Sequence, residues 1–290
     1  ITFVEREGRM GGVDLELCKK LKDAVGPELE LTIAGGVTTV AEIAALDAMG
    51  VHAQVGMALY TNNMDLGEAI AAPLKSDRPD GLFPTVVVNE EHVALGLVYS
   101  SVESIKEAVK TQKGVYQSRQ RGLWRKGETS GSQQDLMAIH LDCDRDALCF
   151  VVRQHGAGFC HVPAFSCFGK ELNKGIAALA ATLESRKEDA PEGSYTKRLF
   201  TEAGLLEAKI KEEADELVAA TTKDEITGET ADVIYFALAK AIKNGVSLQD
   251  VAAELDRRAL KVTRRPGNAK PQYLAPQANS STDTIAPNTQ

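Results

Sequence analysis

The residues able to do chemistry crowd into one stretch of the chain. Between Leu123 and Phe168 lie the only Trp, Trp124, and the run Arg125-Lys126-Gly127-Glu128-Thr129-Ser130-Gly131. The alternating acids Asp142, Asp144 and Asp146 and the thiols of Cys143, Cys160 and Cys167 follow. Metal-assisted hydrolysis of a phosphorylated substrate uses such a set. Cations and loop amides serve phosphate oxygens, and Trp124 could stack on a base or anchor the loop. Three close carboxylates repel unless a cation shares them, and hard oxygen ligands suit Mg2+. A solvated acidic turn is the plain alternative. An EF-hand does not fit, because its sixth position would be Ala147 and its twelfth Arg153. Three thiolates plus water describe a catalytic zinc, which lowers the pKa of its water toward ~7. His161 is a fourth ligand, a general base or a packed ring, with catalysis or substrate contact ranked first. Cys18 and Cys149 sit in an apolar helical stripe and a strand, and read as structural.

A second group of acids follows on helical spacing. One amphipathic helix is expected over Leu199–Ala220, with Leu206, Ile210 and Leu217 on one face. Glu213 falls inside that stripe and Glu216 at its margin, a costly place for a carboxylate unless it is paired or metal-bound. Glu212 lies further round. Lys209, one turn before Glu213, offers a simple salt bridge as the competing reading. The next helix is expected over Glu229–Asn244, opening with Glu229 and Asp232, whose bland role would be as helix-dipole partners. The pattern E-x-x-E, twelve residues, E-x-x-D puts two acid pairs on adjacent helices. Helix bundles build Mg2+ sites from facing carboxylates in this way.

The elements that must position these residues divide the chain into a multidomain array. Residues 1–83 alternate strands (Ile1–Val4, Leu29–Ile33, Ala53–Val55), helices (Val13–Val25, Thr39–Met49) and Gly-rich turns. That is the pattern of a partial α/β barrel-like segment. Residues 84–184 read as a small β-rich α+β domain. Its strands are Thr85–Val88, His92–Tyr99, Gly114–Ser118, Gln134–Leu141 and Ala147–Gln154, with a helix around Ser101–Thr111 and another over Leu172–Leu183. After a charged linker at Ser185–Gly193, residues 185–266 read as an all-α unit. Residues 267–290 read as a polar, Pro-rich linker or tail.

The 290 residues carry a net charge of −8, which argues against general nucleic-acid binding. Apolar runs such as ADVIYFALAKAI are interrupted too early for a membrane span. Five Cys, an odd number, suit a reducing compartment rather than a disulfide framework, so a cytoplasmic place is expected. The first residue is Ile, and a start further upstream is expected.

WRKGETSG, DCDRDAL and the CH…SCF pair resemble the signature of phosphoribosyl-AMP cyclohydrolase, over roughly residues 85–170. The resemblance implies a dimer whose zinc site takes Cys143 from one subunit and Cys160 with Cys167 from the other. It also implies Mg2+ on Asp142, Asp144 and Asp146 beside the substrate phosphates. A zinc-activated water would open the adenine ring of phosphoribosyl-AMP between N1 and C6. Ser132 stands where a His is frequent, and Val162-Pro163-Ala164-Phe165 replaces a polar stretch. SYTKRLF, KIKEEADELVAA and ETADVIYF resemble phosphoribosyl-ATP pyrophosphohydrolase over about residues 194–264. Lys209, Glu212, Glu213, Glu216, Glu229 and Asp232 fall on its pattern, with Mg2+ on the acids, Glu213 as the catalytic carboxylate and Lys209 on the substrate. Phe236 stands where a His is frequent.

FVEREGRMGG, TIAGGVTT and QVGMALY resemble the last three βα units of the histidine-pathway isomerase barrel, which maps phosphate-binding turns to Gly35, Gly36 and Gly56. Glu5-Arg6-Glu7-Gly8 and Met57 depart from that pattern, so little isomerase activity is expected. The order of segments is similar to the fungal multifunctional histidine-biosynthesis family, in which a histidinol dehydrogenase domain follows. The expectation is a bifunctional hydrolase of phosphoribosyl-ATP and phosphoribosyl-AMP using Zn2+ and Mg2+, dimeric through its cyclohydrolase-like region. The competing readings are a non-catalytic zinc-stapled scaffold and a helical unit active alone as a general nucleotide pyrophosphohydrolase.

Overall fold

The computed structural model describes residues 1–160, 164–169 and 174–260. It is a mixed α/β structure with ten α-helices and three small sheets among those residues. No helix there is long and apolar enough to cross a membrane.

In the N-terminal α/β unit, α1 (Leu15–Val25) and α2 (Val40–Ala48) flank β1 (Leu31–Ala34) and β2 (Val51–Gln54), which pair in parallel. The caps explain the helix starts: the Asp14 carboxylate takes the Leu17 amide, and Thr39 and Glu42 form a capping box. Phe3, Cys18, Ile33, Leu46 and Val51 close a small core, so Cys18 is the buried structural thiol expected. The expected strand Ile1–Val4 contracts to one bridge, Thr2 to Ala34, followed by a 3-10 turn over Val4–Arg6. No barrel closes among the described residues, because the unit offers two strands and a bridge. Two short helices were not expected from the sequence, α3 (Met57–Tyr60) and α4 (Leu66–Ala71).

The β-rich unit comprises β3 (Phe83–Val88), β4 (Ala94–Ser100), α5 (Val102–Thr111), β5 (Val115–Ser118), β6 (Gly122–Arg125), β7 (Gln134–Leu141) and β8 (Leu148–Gln154). The main sheet has the order β4-β3-β8-β7, with β3 and β8 parallel and the other pairs antiparallel. β5 and β6 form a separate hairpin, of which β6 was not expected. Val87, Leu95, Ile105, Val115, Tyr116, Phe150 and Val152 are fully buried in its core. The buried Tyr116 hydroxyl donates to Gln134 Oε1 at 2.7 Å, so no polar atom is stranded there. α4 also belongs to this core through Ala71, and it lies directly on α5. A Cβ on Gly67 would stand 2.5 Å from Lys106 Cα.

The helical unit contains α6 (Gly175–Glu188), α7 (Tyr195–Thr201), α8 (Leu205–Ala219), α9 (Lys223–Lys243) and α10 (Leu248–Ala259). Three expectations change. α6 runs past Ser185, shortening the expected linker, and its Ala180 and Leu183 pack with Leu199, Leu206, Phe236 and Ile242. The single helix over Leu199–Ala220 is two helices, parted at Gly204, whose φ of 80° is left-handed. α9 begins at Lys223 rather than Glu229, because Thr222 and Glu225 form a capping box upstream. The expected tail at 267–290 lies outside the described residues.

Two helix glycines should respond with opposite signs. Gly67→Ala pushes α4 off the α5 backbone and should cost about 1–3 kcal/mol. Gly228→Ala, in α9 with open space around the added methyl, should gain about 0.5–1 kcal/mol. Chemical denaturation of the full chain measures both.

Candidate functional site

β6 positions the signature run. Side chains alternate along a strand, so Trp124 and Lys126 face one way and Arg125 the other. Arg125 Nη2 donates to Glu107 Oε1 on α5 at 2.7 Å. Arg125 and Glu128 line a small pocket of about 220 Å3 beside Thr111 and Lys113. Trp124, Lys126, Gly127, Thr129 and Ser130 line a different cleft of about 580 Å3, together with Phe159, Cys160 and Cys167. The loop turns back at Gly127, where φ is +81° and a Cβ would come within 2.3 Å of Gln133 N. Only glycine fits there.

Lys126 is the unusual group of this cleft. It is 7% exposed, its Nζ donates to Ser132 O at 3.3 Å, and it stands 5.3 Å from the Phe159 ring centre. Burial lowers its pKa, while negative charge on Cys167 and Cys160 acts the other way. The Cys167 thiol is pushed up by burial and by its hydrogen-bonded neighbour Cys160. Cys167 N donates to Leu95 O at 2.8 Å, which pins the loop to the start of β4. Phe159 reaches the sheet because Gly96 has no side chain; a Cβ there would meet the ring at 2.2 Å. Sequence reading passed over Phe159, since nothing local pairs it with a glycine some sixty positions earlier. His161 lies outside the described residues. Cys149, on β8, is half-buried.

The Asp loop occupies the β7–β8 turn. Carboxylate oxygens of Asp142, Asp144 and Asp146 lie within 4.8 Å of one another. Burial works to raise the Asp142 pKa, but the Ala147 amide, the neighbouring carboxyls and the Asp146 amide outweigh it and hold it low. Asp146 moves the opposite way, chiefly through its hydrogen bond with Asp142. Carboxylates this close share a proton or a cation. Cys143 is exposed, with its Sγ 3.9 Å from Asp144 Oδ1. It precedes β8 while Cys160 follows it, and the strand between them is roughly 20 Å long. The three sulfurs form no cluster within one chain.

In the helical unit, α8 and α9 bring Glu213, Glu216 and Glu229 together, with oxygens within 4.8 Å of one another. Glu213 is 5% exposed. Lys209 Nζ lies 2.6 Å from Glu213 Oε1 and 2.8 Å from Glu212 Oε1. Those hydrogen bonds, Glu212 first, raise the lysine pKa, and the ammonium also lies 5.5 Å from the Phe236 ring centre. The salt bridge anticipated as a competing reading therefore exists, and the acid cluster exists beside it. Glu229 Oε2 is buried without a hydrogen-bond partner. Its carboxyl is pushed up by burial, then by Glu216, Glu213 and Asp232. Because α9 starts at Lys223, Glu229 sits beyond the first turn and is no cap for the helix dipole. Glu212 and Asp232 stay outside the three-carboxylate cluster. Tyr195, which sequence reading did not single out, has its hydroxyl pushed up chiefly by burial, with Lys209 acting against that and Tyr235, Glu213 and Glu212 adding to it.

Gly35, Gly36 and Gly56 of the α/β unit line a third pocket, of about 250 Å3, beside Arg6 and Thr38.

Three family models match successive stretches of the chain. The family model for phosphoribosyl-AMP cyclohydrolase matches residues 96–169, that for phosphoribosyl-ATP pyrophosphohydrolase matches 176–259, and that for histidine biosynthesis protein matches 1–65. The chain is 51% identical over 246 residues to the histidine biosynthesis trifunctional protein of Komagataella pastoris, covering 85% of this chain and 28% of that protein. It is 56% identical over 218 residues to the Neurospora crassa trifunctional protein, covering 73% of this chain and 25% of the relative. The chain thus spans about a quarter of the length of these fungal relatives. It is also 33% identical over 205 residues to the histidine biosynthesis bifunctional protein of Pyrococcus furiosus, covering 66% of this chain and 98% of that protein. With a near full-length relative matched and both hydrolase models found in order, the chain belongs to the histidine biosynthesis bifunctional and trifunctional protein family, as a phosphoribosyl-AMP cyclohydrolase region followed by a phosphoribosyl-ATP pyrophosphohydrolase region.

Proposed function

We propose that this chain catalyses two successive hydrolyses. The helical unit converts phosphoribosyl-ATP to phosphoribosyl-AMP and pyrophosphate, and the β-rich unit opens the adenine ring of the product. One observation carries the reading: two sets of residues, each scattered in sequence, converge on separate clusters suited to one of these reactions. The first is the cleft where Lys126 meets Cys160 and Cys167. The second is the Glu213–Glu216–Glu229 cluster.

The acid cluster fits a divalent cation. Three carboxylates in contact range and one buried, unpartnered oxygen are unfavourable together without positive charge. Glu213, Glu216 and Glu229 would hold Mg2+, with Asp232 and Glu212 at the margin. When bound, Mg2+ neutralises charge on the triphosphate. Lys209 holds the Glu213 carboxylate in place through its 2.6 Å contact, so Glu213 can accept a proton from the attacking water.

In the cyclohydrolase cleft, Lys126, Thr129, Ser130 and the loop amides offer donors for phosphate. Trp124 offers a flat face to the purine. Cys160 and Cys167 stand side by side as two soft ligands for zinc. Cys143, beyond the far end of β8, would join them from a second copy, which makes the active form a homodimer. When bound, zinc supplies an acidified water. Asp142, Asp144 and Asp146 would hold Mg2+ near the phosphates, and His161 remains the candidate base. The odd count of five cysteines fits a cytoplasmic enzyme.

Incubating the chain with phosphoribosyl-ATP, Mg2+ and Zn2+ should yield pyrophosphate and the ring-opened nucleotide; absence of both from folded protein sinks the reading. In the same assay, Lys126→Met should slow ring opening about a hundredfold. Arg125→Ala should change it by less than about twofold, because that side chain is spent on an exposed ion pair.

Glu229→Gln should reduce pyrophosphate release at least about a hundredfold and leave ring opening of supplied phosphoribosyl-AMP intact. The raised carboxyl has a stability signature. Its stabilising protonated form is complete below the unfolded value of about 4.3 and is lost as pH climbs through the raised value. In chelator, the melting temperature of the unsubstituted chain should fall across that window more steeply than that of Glu229→Gln, and Mg2+ should flatten the difference.

One substitution separates the catalytic reading from the non-catalytic scaffold. Cys143→Ser should remove zinc and ring-opening turnover while the melting temperature holds. Unfolding of the variant would favour a structural staple instead.

A further inference from the structure

The α/β unit grips the Asp loop. Arg145 stands between Asp144 and Asp146 with φ 70°, a left-handed backbone that non-glycine residues hold only where their surroundings enforce it. Three contacts supply the enforcement. Arg145 Nε and Nη2 lie 3.0 and 2.9 Å from Asp47 Oδ1, at the end of α2. Arg145 Nη1 donates to Asp142 O at 2.7 Å, within the loop. Lys75 N donates to Arg145 O at 2.8 Å. Two of the three anchors, Asp47 and Lys75, therefore come from the segment that precedes the β-rich sheet. The Asp47 and Arg145 side chains are 21% and 28% exposed, so this is a largely covered contact rather than a solvated surface pair.

We propose that Asp47 is a positioning residue for the Asp142–Asp146 carboxylates, acting through Arg145, and that the α/β unit serves the cyclohydrolase as a clamp. The inference rests on the reading of those carboxylates as a cation and phosphate site. Asp47 does two things. It fixes the loop backbone, so that the three carboxylates converge on one point. It also occupies a guanidinium that already reaches the loop at Asp142 O, within the stretch that carries those carboxylates. Released from Asp47, Arg145 would fold onto them and compete with the cation. Partners that orient the groups around a metal commonly matter almost as much as the ligands. The clamp gives the α/β unit a use that needs no isomerase chemistry and no closed barrel.

The test uses the full chain with Asp47→Ala and Asp47→Glu. Alanine is a good helix former at the end of α2, so the fold should persist. Hydrogen exchange at the amides of residues 142–147 should quicken in Asp47→Ala and return toward normal in Asp47→Glu. The Mg2+ concentration giving half-maximal ring opening should rise about tenfold in Asp47→Ala, with turnover recovered at high Mg2+. Pyrophosphate release by the same molecules serves as internal control and should not move. Unchanged exchange and unchanged Mg2+ dependence overturn the clamp. So does an equal loss of both activities with a lowered melting temperature, which is the mark of plain structural damage. Absence of ring opening in the unsubstituted chain defeats the functional reading, while the exchange comparison still decides the clamp.

Discussion

The parallel pairing of β3 with β8 is the constraint on which the β-rich unit depends. Thr85 through Val88 run beside Leu148 through Val151 in the same direction. Parallel neighbours need a long crossover, and here it carries β4, α5, the β5–β6 hairpin and β7. The candidate groups of the cyclohydrolase region among the described residues are placed by that arrangement. The Asp loop lies at the beginning of β8, Cys160 follows its end, and the signature run hangs from the hairpin inside the crossover. Phe150 and Val152, fully buried on the same strand, lock the two ends to one rigid frame.

In the helical unit the governing constraint is the cost of placing carboxylates against an apolar stripe. The sequence tolerates Glu213 there because Lys209 pairs with it and lies along the Phe236 ring. Glu229 has no such compensation. A natural bundle rarely strands an oxygen without a reason, and unbalanced negative charge on facing helices is a reason of the functional kind. Stability and function therefore pull against each other at this position.

Periodicity exposed most of the frame. Strands β3, β7 and β8 and helices α1, α2 and α5 emerge near their expected bounds, because alternation and capping residues such as Thr39 and Ser101 act over a few neighbours. The departures were non-local or concealed by composition. Glu202-Ala203-Gly204 looked like part of a continuous amphipathic stripe, and only the left-handed Gly204 shows the break. Thr222 and Glu225 form a capping box among residues too polar to read as a helix interior, which hid the first turn of α9. Leu123-Trp124-Arg125 looked like the edge of a loop, since a four-residue strand leaves too little alternation to recognise.

By itself the sequence determined the two hydrolase families, because their motifs are runs of residue types at short spacing. It also separated the two hydrolase regions, since each motif set lies within a contiguous segment. Only the tertiary structure decided which members of each set meet. It turned Arg125 away from the cleft that takes Lys126, because adjacent strand residues face opposite sides, and Glu128 away from it after the turn at Gly127. It kept Cys143 a strand's length from Cys160 and left Glu229 Oε2 without a hydrogen-bond partner. It also joined Asp47 to Arg145, a contact between residues 98 positions apart. Contacts at such separation depend on how whole elements pack, and no local rule of spacing encodes them.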